Sequence, residues 1–293
     1  EVVRAGVEYK GDLWTLWDRD AGASSKGISA ASHNGSTPSW NTPNTVFDGG
    51  TNEGIGLDLI SHKTDMIALF ITSNDHGTRR STVGSTWNAP TTAIPGNLLT
   101  NSVSANEDIN AGKLVGVGNE VVAVLWHESN GTITFYSSTD AGDNWTDEAV
   151  DIASSDGPLG VASFPGIDDA DKLYVLSAEG LWEVDTSPAT WTFRKVWNQS
   201  SEGDNNFVNR MVVHQGLLWF AGNAATDVPV PIITMDTSGG VRAFDEHRGL
   251  NAGDGVPSDM LGGVRWMFSS GQFLFMSMGC LLYTSPSPRD RQK

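Results

Sequence analysis

The sequence predicts an all-β protein made of four-stranded antiparallel blades, a β-propeller, and three observations carry that expectation. The 293 residues include 33 Gly and 11 Trp but only 4 Tyr, a composition that suits turn-rich sheets. One short pattern, a polar hairpin followed by an apolar strand, recurs along the chain. The recurrences are spaced close to the roughly 40–50 residues that four short strands and their turns occupy.

The hairpins follow in order. YKGDLWTLW begins at Tyr9, HKTDMIALF at His62 and VGNEVVAVLW at Val117. DADKLYVLS begins at Asp169, VHQGLLWFA surrounds His214, and SSGQFLFMS begins at Ser269. With Leu13, Met66, Val121, Leu173, Leu217 and Phe273 as reference points, the spacings are 53, 55, 52, 44 and 56. Runs of β-branched and aromatic residues bounded by Gly, Asn and Asp read as strands. Residues 1–279 thus hold five complete blades and strands A and B of a sixth, as a single domain. A β-sandwich gives no reason for Trp and turn signals in register.

The third repeat is the clearest. Strand A is read at Lys113–Val117, B at Val121–Trp126 and C at Thr132–Ser137, and D starts at Trp145. Its C–D turn reads Ser138-Thr139-Asp140-Ala141-Gly142-Asp143-Asn144-Trp145, or S-x-D-x-G-x-x-W. A short carboxylate accepts backbone N–H bonds inside its own turn, and Gly142 supplies the positive φ a tight hairpin needs. Trp145 then covers the blade with a large apolar ring. The other turns are degraded. Ser81–Trp87 keeps Gly84 and Trp87 but has Thr82 in place of Asp, and Asp185 stands one place early before Trp191. Ser32-His33-Asn34-Gly35 precedes Trp40 with an insertion, and Asp236-Thr237-Ser238-Gly239 holds the fifth position.

This turn resembles the Asp-box of the BNR-repeat propellers, a superfamily that includes sialidases and sortilin-type receptors. The resemblance covers residues 1–279 through the repeat and only the C–D turns through the motif. It implies a structural role for Ser138, Asp140, Gly142 and Trp145, on the face opposite the usual ligand face. Sialidases also use an Arg-Ile-Pro motif and a Tyr–Glu nucleophile pair. Here Arg4 is followed by Ala5 and Gly6, and Tyr9, Tyr136 and Tyr174 fall in hairpins or strands B and C, which argues against sialidase activity.

The last residues, CLLYTSPSPRDRQK at 280–293, have no hydrophobic period and are expected to form neither strand nor helix. They resemble a translated sequencing-library adapter, so this tail is read as non-native and set aside from the fold. Cys280, the only cysteine, falls inside it, so disulfides and thiolate chemistry are not expected.

Charge narrows the function. Lys+Arg 18 against Asp+Glu 35 gives −17. A chain that repels phosphate is a poor nucleic-acid or anionic-membrane partner. No apolar run approaches the roughly 20 residues of a membrane span. The six His show no metal-ligand spacing, so no metal site and no cofactor are expected, although the Asp168, Asp169 and Asp171 group has oxygen chemistry that would suit Ca²⁺.

Against that acidic background, basic residues recur near strand-A starts. Arg4, Lys113, Arg210 and Arg265 stand six or seven residues before an A–B turn, and Asp58 holds the same place in the second repeat. Guanidinium forks suit carboxylates and phosphates, and clustered cations focus an anionic ligand. Arg4, Lys113, Arg210, Arg265 and Asp58 are the candidate ligand-binding set, with Trp17 at the end of strand B as a sugar-stacking ring. The alternative is that these charges pair with acidic loops and hold blades together. The first functional reading is a non-catalytic binding module, exported or surface-displayed, for a glycan, an anionic small molecule or a protein segment. The runner-up is a secreted glycoside hydrolase using two loop carboxylates. A third is a structural part of a larger assembly such as a virion.

Overall fold

The computed structural model describes residues 3–20, 26–35, 40–50, 54–72, 75–96, 98, 111–166, 170–187, 189–198, 211–221, 232–243, 264–278 and 281–284. The chain divides into two compact units, Glu1–Ala153 and Ser154–Lys293. Each holds three antiparallel sheets whose strands follow one another in chain order.

In the first unit, sheet 1 comprises β1 (Val3–Tyr9), β2 (Asp12–Asp20), β3 (Lys26–His33) and β4 (Asn44–Gly50). Sheet 2 comprises β5 (Gly54–His62), β6 (Asp65–Thr72) and β7 (Asp75–Ser81). Sheet 3 comprises β8 (Gly112–Val117), β9 (Glu120–His127), β10 (Thr132–Ser138) and β11 (Thr146–Ala153). In the second unit, sheet 4 holds β12 (Gly160–Pro165), β13 (Asp171–Ser177), β14 (Gly180–Asp185) and β15 (Thr192–Asn198). Sheet 5 holds β16 (Met211–His214), β17 (Leu217–Ala221), β18 (Ile232–Met235) and β19 (Val241–Ala243). Sheet 6 holds β20 (Val264–Ser270), β21 (Phe273–Met278) and β22 (Leu281–Thr284).

The third repeat folds as its sequence reads, to within a residue or two at each end. Two expectations are corrected. Among the described residues the second repeat forms three strands rather than four, and after β7 an isolated Arg80–Asn88 antiparallel bridge continues the pairing. Pro90 and Pro95 follow at once, and proline has no N–H to give a ladder. The tail, expected to form no strand, supplies β22. Leu281-Leu282-Tyr283-Thr284 is apolar and β-prone, and the outer edge of β21 offers unpaired N–H and C=O groups that template such a run.

Burial explains the pairing of sheets. Leu16, Ile28 and Trp14 of sheet 1 pack with Leu59, Met66 and Phe70 of sheet 2. The other face of β6 sends Ile67, Leu69 and Ile71 against Val121, Ala123 and Leu125 of β9. Sheet 2 is therefore apolar on both faces, and β6 reads as a continuous hydrophobic run rather than an alternation. In the second unit Tyr174, Leu176 and Leu181 of sheet 4 pack with Leu218, Phe220 and Ile233 of sheet 5.

The A–B turns bind neighbouring sheets. Lys10 and Lys63 hold positive φ (52° and 54°) at their turns. Their ammonium groups donate to the Thr82 and Asn119 carbonyls, at 2.8 and 2.7 Å. Gln215, at φ 50°, donates from Nε2 to the Gln272 carbonyl in the second unit. A side chain that reaches a neighbour's backbone offsets the cost of a left-handed conformation that glycine would adopt without strain.

Candidate functional site

The conspicuous turn of sheet 3 is self-contained. Ser138 Oγ donates to Asp140 Oδ1 at 2.8 Å and accepts the Gly142 N–H at 2.8 Å. Asp140 also accepts the Asn144 backbone N–H (2.9 Å) and the Asn144 side-chain amide (2.7 Å). Partial burial pushes the Asp140 carboxyl up, but the Asn144, Ser138 and Asp143 donors outweigh it and bring the carboxyl down to about 2. Gly142 has φ 86°. Trp145 is 4% exposed and its indole N–H reaches Thr78 Oγ1 of β7 at 3.1 Å. Every polar group named here is consumed inside the turn or by sheet 2, as a structural element requires.

The degraded turns keep part of this chemistry. Ser81 Oγ accepts the Gly84 N–H at 2.7 Å, the role Ser138 plays for Gly142. Gly84 has φ 79°, and a Cβ there would lie 2.0 Å from the Trp14 ring. Asp185 and Asp236 each accept an N–H from the residue two ahead, Ser187 and Ser238, at 3.0 Å.

The candidate charges lie at the first strands of the sheets, where β5 lies against β1 and β8. Three of these first strands carry a bulge. The unpaired extra residue is Arg4 in β1, Leu57 in β5 and Arg265 in β20. Each stands seven residues before the second residue of its A–B turn: Gly11, Thr64 and Gln272. A bulge re-aims the side chain it carries. Arg4 Nε donates to Asp18 Oδ2 at 2.6 Å, and the other oxygen of Asp18 accepts the Gly56 N–H of β5 at 2.8 Å. One carboxylate from sheet 1 therefore fixes Arg4 and clips sheet 2.

Asp58 repeats the device one sheet along. Its Oδ1 accepts the Leu59 N–H and its Oδ2 the Leu114 N–H of β8, both at 2.9 Å. Lys113 precedes Leu114 and is 4% exposed. Burial pushes the Asp58 carboxyl above its ordinary value, against the pull of Lys113 and the two N–H donors. Burial likewise holds the Lys113 ammonium below its ordinary value, with Asp58 opposing. Both carboxylate oxygens are occupied by backbone donors. The Lys113 ammonium makes no hydrogen bond or close ion pair with any described residue, and Asp58 balances it only through space. An ammonium has three donors to satisfy, and oxygen-rich or anionic groups are the chemistry that satisfies them.

Arg4, Asp58 and Lys113 are brought to neighbouring strands of one unit. Arg210 lies outside the described residues, as do Asp168 and Asp169, and only the backbone of Arg265 is described. Trp17 is half-buried on β2, three residues before the strand ends, and faces Trp40 edge-on with ring centroids 6.1 Å apart. Asp18, near the end of β2, is the partner of Arg4. The signal for Asp58 and Lys113 is a lone charge inside an apolar strand, GIGLDLI and GKLVGV. Among the described residues no group of three or more His, Cys, Asp or Glu could hold a metal ion. No helix among them is long and apolar enough to cross a membrane.

No protein-family model matches the chain, and no curated protein matches it. Solved structures do. A protein designated a 6-phosphogluconolactonase from Bacteroides fragilis aligns with TM-score 0.53 at 10% identity, covering 94% of this chain and 76% of that one. An α-L-arabinanase from Penicillium chrysogenum, solved with arabinobiose, aligns with TM-score 0.51 at 13% identity, covering 80% and 74%. A Hadza microbial sialidase aligns with TM-score 0.47 at 11% identity over 72% of this chain, which spans about half of the sialidase's length, 47%. The first two are β-propeller-like, and at these identities the likeness is one of fold. The chain is all-β, built of several four-stranded antiparallel sheets.

Proposed function

We propose that this chain is a non-catalytic carbohydrate-binding β-propeller of the Asp-box type, exported or displayed on a surface, with residues 1–279 as its repeat array. Its ligand is an acidic sugar or a comparable anionic, hydroxyl-rich molecule, held at the first strands of the first unit's sheets, β1, β5 and β8. One observation carries this reading: Lys113 is a 4% exposed lysine whose ammonium has no direct acceptor among the described residues. Arg4 is assigned to the same ligand as a long-range cation, and Asp58 is assigned to hold the Lys113 strand; Arg210 and Arg265 belong to the second unit and are not assigned to this site. The carboxylate geometry supports binding over hydrolysis. Asp18 and Asp58 have both oxygens engaged, by Arg4 and Gly56 or by Leu59 and Leu114, so neither is free to act as acid or nucleophile.

Calorimetric titration with glucuronic acid and N-acetylneuraminic acid tests this, alongside an aryl-glycoside turnover panel. Saturable binding without turnover is expected, weakened at least about tenfold in Lys113→Met, the loss of one charge-assisted hydrogen bond. Turnover abolished by changing two carboxylates would install the hydrolase reading instead.

A further inference from the structure

We propose that Trp17, Trp40 and His33 of sheet 1 form a second, separate subsite that binds the apolar face of a neutral sugar ring. The repeat itself singles out Trp40. Its counterparts are spent on packing: Trp145 is 4% exposed with its N–H on Thr78, and Trp191 is 6% exposed. Trp87 packs against the sheet 1–sheet 2 core and donates its N–H to the Gly84 carbonyl. Trp40 is 41% exposed. Two residues separate Gly142 from Trp145 and Gly84 from Trp87, whereas four separate Gly35 from Trp40. The Trp with the longer spacing is the one whose ring is on the surface instead of in the core.

The rings around it are fixed. Trp17 meets Trp40 at 81°, and His33 lies 5.2 Å from Trp40 at 59°. The Trp17 indole N–H donates to Thr15 Oγ1 at 2.6 Å. Asn41, next to Trp40, donates its backbone N–H to the Ser32 carbonyl and its side-chain amide to Ser32 Oγ, at 2.9 and 2.7 Å. A preorganised aromatic surface binds a rigid ring with little entropy loss. Polar groups at the margin match hydroxyls. The Gly35 N–H donates to His33 Nδ1 at 3.0 Å, which puts the ring proton on Nε2 as a donor, and Asn41 Oδ1 is an acceptor. Among the described side chains the shelf includes no Lys or Arg, and Arg4 of the same sheet is held by Asp18. Its chemistry fits a neutral sugar and not the acidic one assigned to Lys113.

The test is intrinsic tryptophan fluorescence of the full chain, titrated with neutral methyl β-glycosides of glucose, galactose and xylose and with glucuronic acid. At least one neutral glycoside should give a saturable change. Trp40→Ala should weaken it about tenfold, Trp40→Phe should retain part of it, and Lys113→Met should leave it unchanged. Because the two subsites are changed separately, loss of acidic-sugar binding and loss of neutral-sugar binding are distinguishable failures. Silence toward every neutral glycoside overturns the proposal. So does a dimer, seen by sedimentation, that Trp40→Ala dissolves, since the shelf would then be a self-association face.

Discussion

Asp140 and Asp58 carry the same side chain and are pushed in opposite directions. Asp140, at the rim of sheet 3, collects hydrogen bonds from Ser138, Asn144 and Asp143 and ionises more readily than an ordinary carboxylate. Asp58, on a first strand, collects two backbone N–H bonds and faces a buried ammonium, yet burial dominates and its carboxyl is raised. The comparison separates a finished element from an unfinished one. At the turn the Ser138 hydroxyl and both oxygens of Asp140 are matched by local partners. At the first strands a carboxylate is matched to the backbone while the neighbouring cation, Lys113, is left with unused donors. Unused donors in a buried place are where a ligand gains most.

Four changes sharpen or break that contrast. The largest effects come from breaking each region outright. Asp58→Ala strands the Lys113 charge and should cost about 4 kcal/mol of unfolding free energy, with much of it recovered in the Asp58→Leu/Lys113→Met double variant. Trp145→Ala empties a packed site between sheets 2 and 3 and should also cost about 4 kcal/mol. Equilibrium denaturation measures both. An Asp58→Ala variant as stable as the parent would remove the idea of a coupled buried pair.

Next is a pH effect. His76 of β7 is buried, with Nε2 donating to the Ala111 carbonyl at 2.9 Å and Nδ1 without a partner. Burial brings its imidazole down to about 4, and the Ala111 bond and Asp75 oppose that fall. A depressed folded value means that its contribution is complete above the unfolded value of about 6.5 and is lost as pH falls through 4. Stability should drop by about 3 kcal/mol over that window. His76→Phe should flatten this slope, as measured by denaturation at several pH values. The smallest effect is expected at Asp140→Ala, about 2 kcal/mol, because water replaces part of what its exposed turn loses.

Much of the fold was legible in the sequence. The third repeat announced all four strands because its apolar runs are bounded by Gly118-Asn119 and the Ser138–Trp145 turn. The fourth strand expected for the second repeat is missing from its described residues: Trp87 marks a turn, but Pro90 and Pro95, just beyond it, withhold the donors a strand needs. The site was legible only in part. Charged residues inside apolar strands pointed to Asp58 and Lys113. A one-residue bulge leaves no trace in hydrophobic alternation, so the common place of Arg4, Leu57 and Arg265 emerged only from strand pairing. Asp18 was hidden for a related reason: its partners, Arg4 and the Gly56 N–H, are far away in sequence.

The most direct test of the account is the affinity of glucuronic acid for the parent chain and for Lys113→Met, compared by calorimetry under one buffer condition. The account predicts saturable binding to the parent and at least about a tenfold loss in the variant, with folding intact. Equal affinity in the two proteins would contradict it.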